Sequence, residues 1–305
     1  MENPRLYSEH LNSQELTRDQ ETYLRMQLYY FLPFVRRYYE LLRISDNVDE
    51  NFKKESLSHL KDIAHYYAEA LIFGQLNIDL EQKKIEELFL HIGKAYHPQE
   101  FRRKMLEEIN ENTFNKSDGH LKDYFYGDTS CKELEHSNKL EKYPYMFTQP
   151  IGIISHSQED RQDILFSLGN YIKQSRNTLN VSIWGNVARG IIEAAGVHTV
   201  LERMAVPAEL HVYRASPYAM GDKKFVQIAE PQYTPLQWVI AVDSFSMGGP
   251  SIDMTIVMLD SLRASRKSIY LGYGGFANMR RKNLAIEYQW DKEPGNMFST
   301  QFAVR

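Results

Sequence analysis

Two spacings of apolar residues divide this chain. From residue 13 to about 112, apolar positions recur at i, i+3 and i+4, the mark of amphipathic helices. Leu16, Tyr23, Met26 and the run 28–34 continue through Val35, Tyr38, Tyr39, Leu41 and Leu42, with Pro33 expected to end or kink the helix. Leu57, Leu60, Ile63, Ala64, Tyr67, Ala70 and Leu71 predict a second helix over 54–73, closed by Gly74 as its C-cap. Asp79 is the expected N-cap of a third, carrying Leu80, Ile85, Leu88, Phe89 and Ile92. Pro98 marks the first turn of a fourth, with Phe101, Met105 and Ile109 inward.

Residues 112–145 show no sustained period and mix Asn, Ser, Asp, Gly and Lys with scattered aromatics, which suits a connecting segment. From 148 onward the apolar runs become short and β-branched. They predict strands at 151–154, 179–184, 209–214, 225–229, 238–242, 256–260 and 268–273, with helices over 157–175 and 187–204. Strand, helix and parallel strand in that order form a βαβ unit. The expected fold is therefore α + α/β: an all-helical domain over 1–112, a linker over 113–147, and a mixed-sheet α/β domain over 148–305.

Composition narrows the function classes. Of 305 residues, 43% are hydrophobic and 25% charged, the profile of a globular protein able to bury more than one core. The net charge of −4 supplies no general attraction to nucleic acid or to an anionic membrane. One cysteine, Cys131, excludes an internal disulfide framework and a cysteine-rich metal site. No apolar run approaches the ~18 residues of a membrane span, and the polar start lacks the core of a signal peptide, so a cytoplasmic location is expected.

Candidate chemistry concentrates after residue 235. Asp243 and Asp260 each close an apolar run, where open sheets often carry functional carboxylates. Gly274 and Gly275, with Asn278 and the basic cluster Arg280, Arg281 and Lys282, suit a small anionic ligand, supported upstream by Arg263, Arg266 and Lys267. Gly185 to Gly190 follows a strand and opens a helix, but it lacks the complete G-x-G-x-x-G pattern, which argues against a nucleotide there. No Walker motif, nucleophile elbow or His–Glu metal motif is present. Cys131 near His136 reads as a surface cysteine. Residues 172–179 and 262–269 also align with one another, as a duplicated helix–strand unit would.

Two resemblances add to this reading. Residues 163–184, then 187–214 with Val206-Pro207-Ala208-Glu209-Leu210, and Gly274-Gly275-Phe276-Ala277-Asn278 with Arg280, Arg281, Asn283 and Glu287, resemble a single phospholipase D-like domain spanning 151–302. That family's catalytic histidine and lysine fall on Leu236 and Trp238, and only its aspartate is matched, by Asp243. The resemblance thus implies the fold without its phosphodiesterase chemistry, and pairing as a homodimer. In the helical half, Leu16-Thr17 with Gln20, Tyr38-Tyr39-Glu40-Leu41-Leu42, and Ile92-Gly93 with His97 are similar to a bacterial sensor globin. That implies haem ligation by His97, with His65 or a tyrosine opposite. The functional expectation is a non-catalytic regulatory or sensory protein that binds a ligand or protein partner. The alternatives are an enzyme acting on a phosphorylated substrate and a haem-based gas sensor.

Overall fold

The computed structural model describes residues 13–44, 48–101, 103, 157–175, 181–187, 190–215, 225–227, 238–243, 268–273, 285–290 and 300–304. Helix α1 spans Arg18–Ile44. It begins on a reciprocal cap: Thr17 Oγ1 accepts from Gln20 N–H at 3.3 Å, and Gln20 Oε1 accepts from Thr17 N–H at 2.9 Å. Pro33 does not end α1, which is helical on both sides of it. Leu28, Phe31 and Leu32 before it and Val35, Tyr38 and Tyr39 after it are all buried. Their packing outweighs the single backbone hydrogen bond that a proline removes.

Helix α2, Glu50–Phe73, starts four residues earlier than its apolar spacing predicts, because Asp49 caps Phe52 N–H at 2.7 Å. It ends, as expected, on Gly74, whose φ of 68° is left-handed. Helix α3, Ile78–Ala95, is capped by Asn77 through Leu80 N–H at 3.1 Å, which corrects the choice of Asp79; that residue lies in the first turn. Residues 98–101 are helical, with Pro98 at the first position, while Met105 and Ile109 lie outside the described residues.

A buried carboxylate ties the three helices together. Glu81 of α3 accepts from Tyr67 Oη at 2.7 Å and from Tyr23 Oη at 3.0 Å. Burial and then the Glu81 carboxylate push the Tyr23 hydroxyl up to about 12, and the same two causes raise Tyr67 further.

Helix α4, Gln158–Ser175, opens on Ser157, whose Oγ accepts from Asp160 N–H at 3.1 Å. Its polar side chains close the C-terminal end of α2. The last four carbonyls of a helix have no partner within it. Here Ala70 O accepts from Gly74 N–H, Leu71 O from buried Arg161 Nη1 at 2.9 Å, and Phe73 O from Gln14 N–H at 2.9 Å. Ile72 O accepts from Gln162 Nε2 at 2.6 Å and from Gln158 Nε2 at 3.2 Å.

Seven strands follow: β1 Val181–Asn186, β2 Ala208–Ala215, β3 Phe225–Gln227, β4 Trp238–Asp243, β5 Ser268–Tyr273, β6 Ala285–Trp290 and β7 Thr300–Val304, with helix α5, Gly190–Arg203, between β1 and β2. They form one sheet in the order β3-β2-β1-β4-β5-β7-β6. β2, β1, β4 and β5 are parallel in sequence across the sheet, whereas β3 runs antiparallel to β2, and β7 antiparallel to both β5 and β6. The architecture is thus helical plus mixed α/β, as the pattern implies. The strands expected at 151–154 and 256–260, and the linker 113–147, lie outside the described residues. β6 and β7 were not anticipated from the pattern.

Ile183, Leu210, Val212, Ile240 and Val242 share one apolar cluster with α5, α4 and the helical half. The helical segment and the sheet are therefore packed on a common core. Gly196 of α5 marks a close approach: a Cβ there would meet Ile72 Cδ1 of α2 at 2.9 Å and Leu165 Cδ1 of α4 at 3.3 Å. Among the described residues, no helix is long and apolar enough to cross a membrane.

Candidate functional site

The strand order reverses between β1 and β4: β2 and β3 lie to one side of β1, and β4 and β5 to the other. β1 and β4 are parallel neighbours with Gly185 paired to Val242, so both end together at Asn186 and Asp243. β1 ends on Asn186, Val187 follows it in a turn, and α5 begins on Gly190.

Gly185 is required by this packing. A Cβ on it would stand 2.8 Å from Ala194 Cβ, 2.9 Å from Gly190 O and 3.0 Å from Ile191 Cα. Strand and helix can approach this closely only without a side chain. The next amide is already committed, since Val187 N–H donates to Tyr213 O of β2 at 2.8 Å. Asn186 and Glu193 are both buried, the latter in the first turn of α5.

On the other face of β1 and β2 lies an aromatic group. Trp184 is fully buried, donates from Nε1 to Ser182 Oγ at 2.9 Å, and stacks on His211 with ring centroids 4.6 Å apart. Tyr213 meets Trp184 edge-on at 6.5 Å. Burial, followed by the nearby Lys61 charge, lowers His211 to about 4. The imidazole is thus neutral near pH 7.

Of the residues singled out in the sequence, Asp243 is placed at the C-terminal end of β4, in register with Gly272 of β5. Asp260, Gly274, Gly275, Asn278, Arg280, Arg281 and Lys282 lie outside the described residues, as do Cys131 and His136. In the helical half His97 is exposed, and its carbonyl accepts from Phe101 N–H at 2.8 Å. His65 is engaged elsewhere, its Nε2 lying 3.1 Å from His198 Nδ1. Among the described residues of this half the buried histidine is His91, which stacks on Phe52 at 4.2 Å and pairs through Nε2 with Ser56 Oγ at 3.0 Å.

Sequence reading passed over the turn at Gly185 for want of one glycine, and it missed Trp184, Glu193 and His211. The available signal was context: a strand, a glycine turn and a helix in immediate succession. Comparison with known protein families, with curated proteins and with solved structures finds no match for this chain.

Proposed function

We propose that the α/β half binds a nucleoside-bearing ligand in the crevice at the carboxyl ends of β1 and β4. One observation carries this reading: the reversal of strand order at β1, whose end is followed by the start of α5 at Gly190. In open α/β sheets, ligands collect at such a switch point, where adjacent connections leave on opposite faces and part to form a crevice.

The turn also narrows the ligand. In the spacing G-x-G-x-x-G the first glycine makes the tight turn, the second lets backbone approach a pyrophosphate, and the third permits close helix packing. Gly185 and Gly190 occupy the first and third positions, but Val187 takes the second. Its amide, bonded to Tyr213 O, is not free to hold a phosphate. Glu193 adds a carboxylate to the first turn of α5, opposing the attraction of a helix N-terminus for anions. The favoured ligand is a nucleoside joined to something other than a pyrophosphate, beside the point where β4 ends on Asp243.

A second reading keeps the sheet as a phospholipase D-like type that has lost its chemistry. The mixed sheet favours it, and it puts a phosphate ester on Arg280, Arg281 and Lys282 of a homodimer. In both readings the domain is a binding and regulatory one rather than a phosphodiesterase.

Calorimetry and thermal unfolding of the full chain with adenosine, S-adenosylhomocysteine, NAD and methyl phosphate separate the two. At about a hundredfold excess over Kd, the adenosyl compounds should raise Tm by about 5 °C, with NAD no better than adenosine. Asp243→Asn should weaken that binding about tenfold. Binding of methyl phosphate in place of every nucleoside would establish the second reading.

A further inference from the structure

We infer that His65 of α2 and His198 of α5 form the preset half of a divalent transition-metal site, of the zinc type, completed by Glu202 and water. The inference is independent of the ligand proposed above. The two rings face one another with His65 Nε2 and His198 Nδ1 3.1 Å apart. Each ring holds its proton on the far side. His198 Nε2 lies 3.1 Å from Ala208 O, a group that only accepts. His65 is hydrogen-bonded to the Lys61 backbone one turn earlier, in the sense that favours a charged ring, so its partner there is the carbonyl and its Nδ1 donates. In the neutral rings both facing nitrogens therefore present lone pairs. Glu202, one turn after His198, adds a third acceptor, its Oε2 3.4 Å from the same Nδ1. Electron-rich atoms gathered this closely, with no donor among them, call for a cation.

The spacing suits a metal ion. Zinc bound tetrahedrally to imidazole, at about 2.0 Å, sets neighbouring ligand atoms about 3.3 Å apart. The separations here, 3.1 and 3.4 Å, lie within about 0.2 Å of that edge. Neutral imidazole selects zinc, copper or nickel, whereas magnesium and calcium take oxygen ligands. Both rings already donate their second N–H to a backbone carbonyl, the support that fixes the tautomer and orientation of a metal-bound histidine. Among the described residues no group of three or more His, Cys, Asp and Glu is already set to hold an ion. The two rings are thus the preset part; Glu202, exposed at the rim, has to turn inward, and water takes the remaining position. Charge permits this. Lys61 and Lys84 oppose a cation at His65, but Asp62 and Glu209 act against Lys61, and the Glu202 carboxylate stands beside the rings. An ion held there would clamp α2 of the helical half to α5 of the α/β half. The competing occupant is a proton on His198, and the experiment separates the two.

Calorimetric titration and thermal unfolding of the full chain with Zn2+ at about pH 7.5 test this. At about a hundredfold excess over Kd, Zn2+ should raise Tm by about 5 °C, and Mg2+ should leave it unmoved. Co2+ in place of Zn2+ should give the visible absorption of a four-coordinate site. His65→Gln and His198→Gln should each weaken Zn2+ binding at least about tenfold and Glu202→Gln about threefold, while exposed His97→Gln leaves it unchanged. Absence of a rise in Tm, or equal Zn2+ affinity in the wild-type, H65Q and H198Q chains, would overturn the site. Should the variants not fold, histidine ring signals of the wild-type chain decide. Shifts of the His65 and His198 signals on adding Zn2+ sustain the proposal; a proton between the rings that Zn2+ does not displace would end it.

Discussion

Gly74 and Gly185 show how much a single missing side chain decides. At Gly74 a left-handed φ coincides with a steric limit: an added Cβ would overlap the backbone carbonyl of Gln14. Gly74→Ala should cost about 2 kcal/mol in urea unfolding and disturb the 13–17 segment along with the cap. Gly185→Ala should cost about 2 kcal/mol as well, by forcing α5 from β1, and nucleoside binding should fall with it. If Gly185→Ala kept full stability, the close packing of α5 on β1 would be disproved. Tyr67→Phe removes the 2.7 Å donor to Glu81 and leaves a buried carboxylate short of a partner, at a cost of about 2 kcal/mol in the same measurement.

At the scale of elements, the C-terminal end of α2 is the joint of the molecule. Arg161 is buried, donates to Leu71 O, and pairs with Glu21 of α1 at 3.1 Å. The guanidinium of Arg203, at the end of α5, lies 3.5 Å above the Phe73 ring. Arg161→Met should destabilise by about 3 kcal/mol, since it strands the Glu21 carboxylate and the Leu71 carbonyl. Arg161→Lys should recover only part of this, because an ammonium cannot serve two acceptors in the guanidinium fork geometry. Equal stability of the wild-type and Met chains in urea would show that the α4–α2 contact is carried by apolar packing alone.

For the whole molecule, the shared core predicts that the helical segment and the sheet unfold together. Urea transitions followed by tryptophan fluorescence, which reports Trp184, Trp238 and Trp290, and by far-ultraviolet circular dichroism should coincide. Two separated transitions would contradict the common core. His65 and His211, both lowered to about 4, make that stability pH-dependent. Each contributes stability fully present above about pH 6.5 and lost as pH falls through about 4, because the unfolded chain binds protons over that window and the folded chain does not. The urea midpoint should therefore fall between those values and level off below them.

Helix existence was legible from the sequence. The i, i+3, i+4 runs, the Gly74 cap and the Ser157 start each depend on neighbours within a turn or two, so local spacing suffices to reveal them. The same holds for β1, β2, β4 and β5, which are short apolar runs bounded by turn residues. β6, AIEYQW, and β7, TQFAV, mix polar and apolar positions without a marked boundary. They are strands by virtue of pairing with one another and with β5. Tertiary structure alone decided that α1 passes through Pro33, that α4 closes α2, and that β4 lies beside β1. It also brought Gly185, Val187 and Asp243 to one end of the sheet, since strand order and register are set by contacts between residues far apart in the chain.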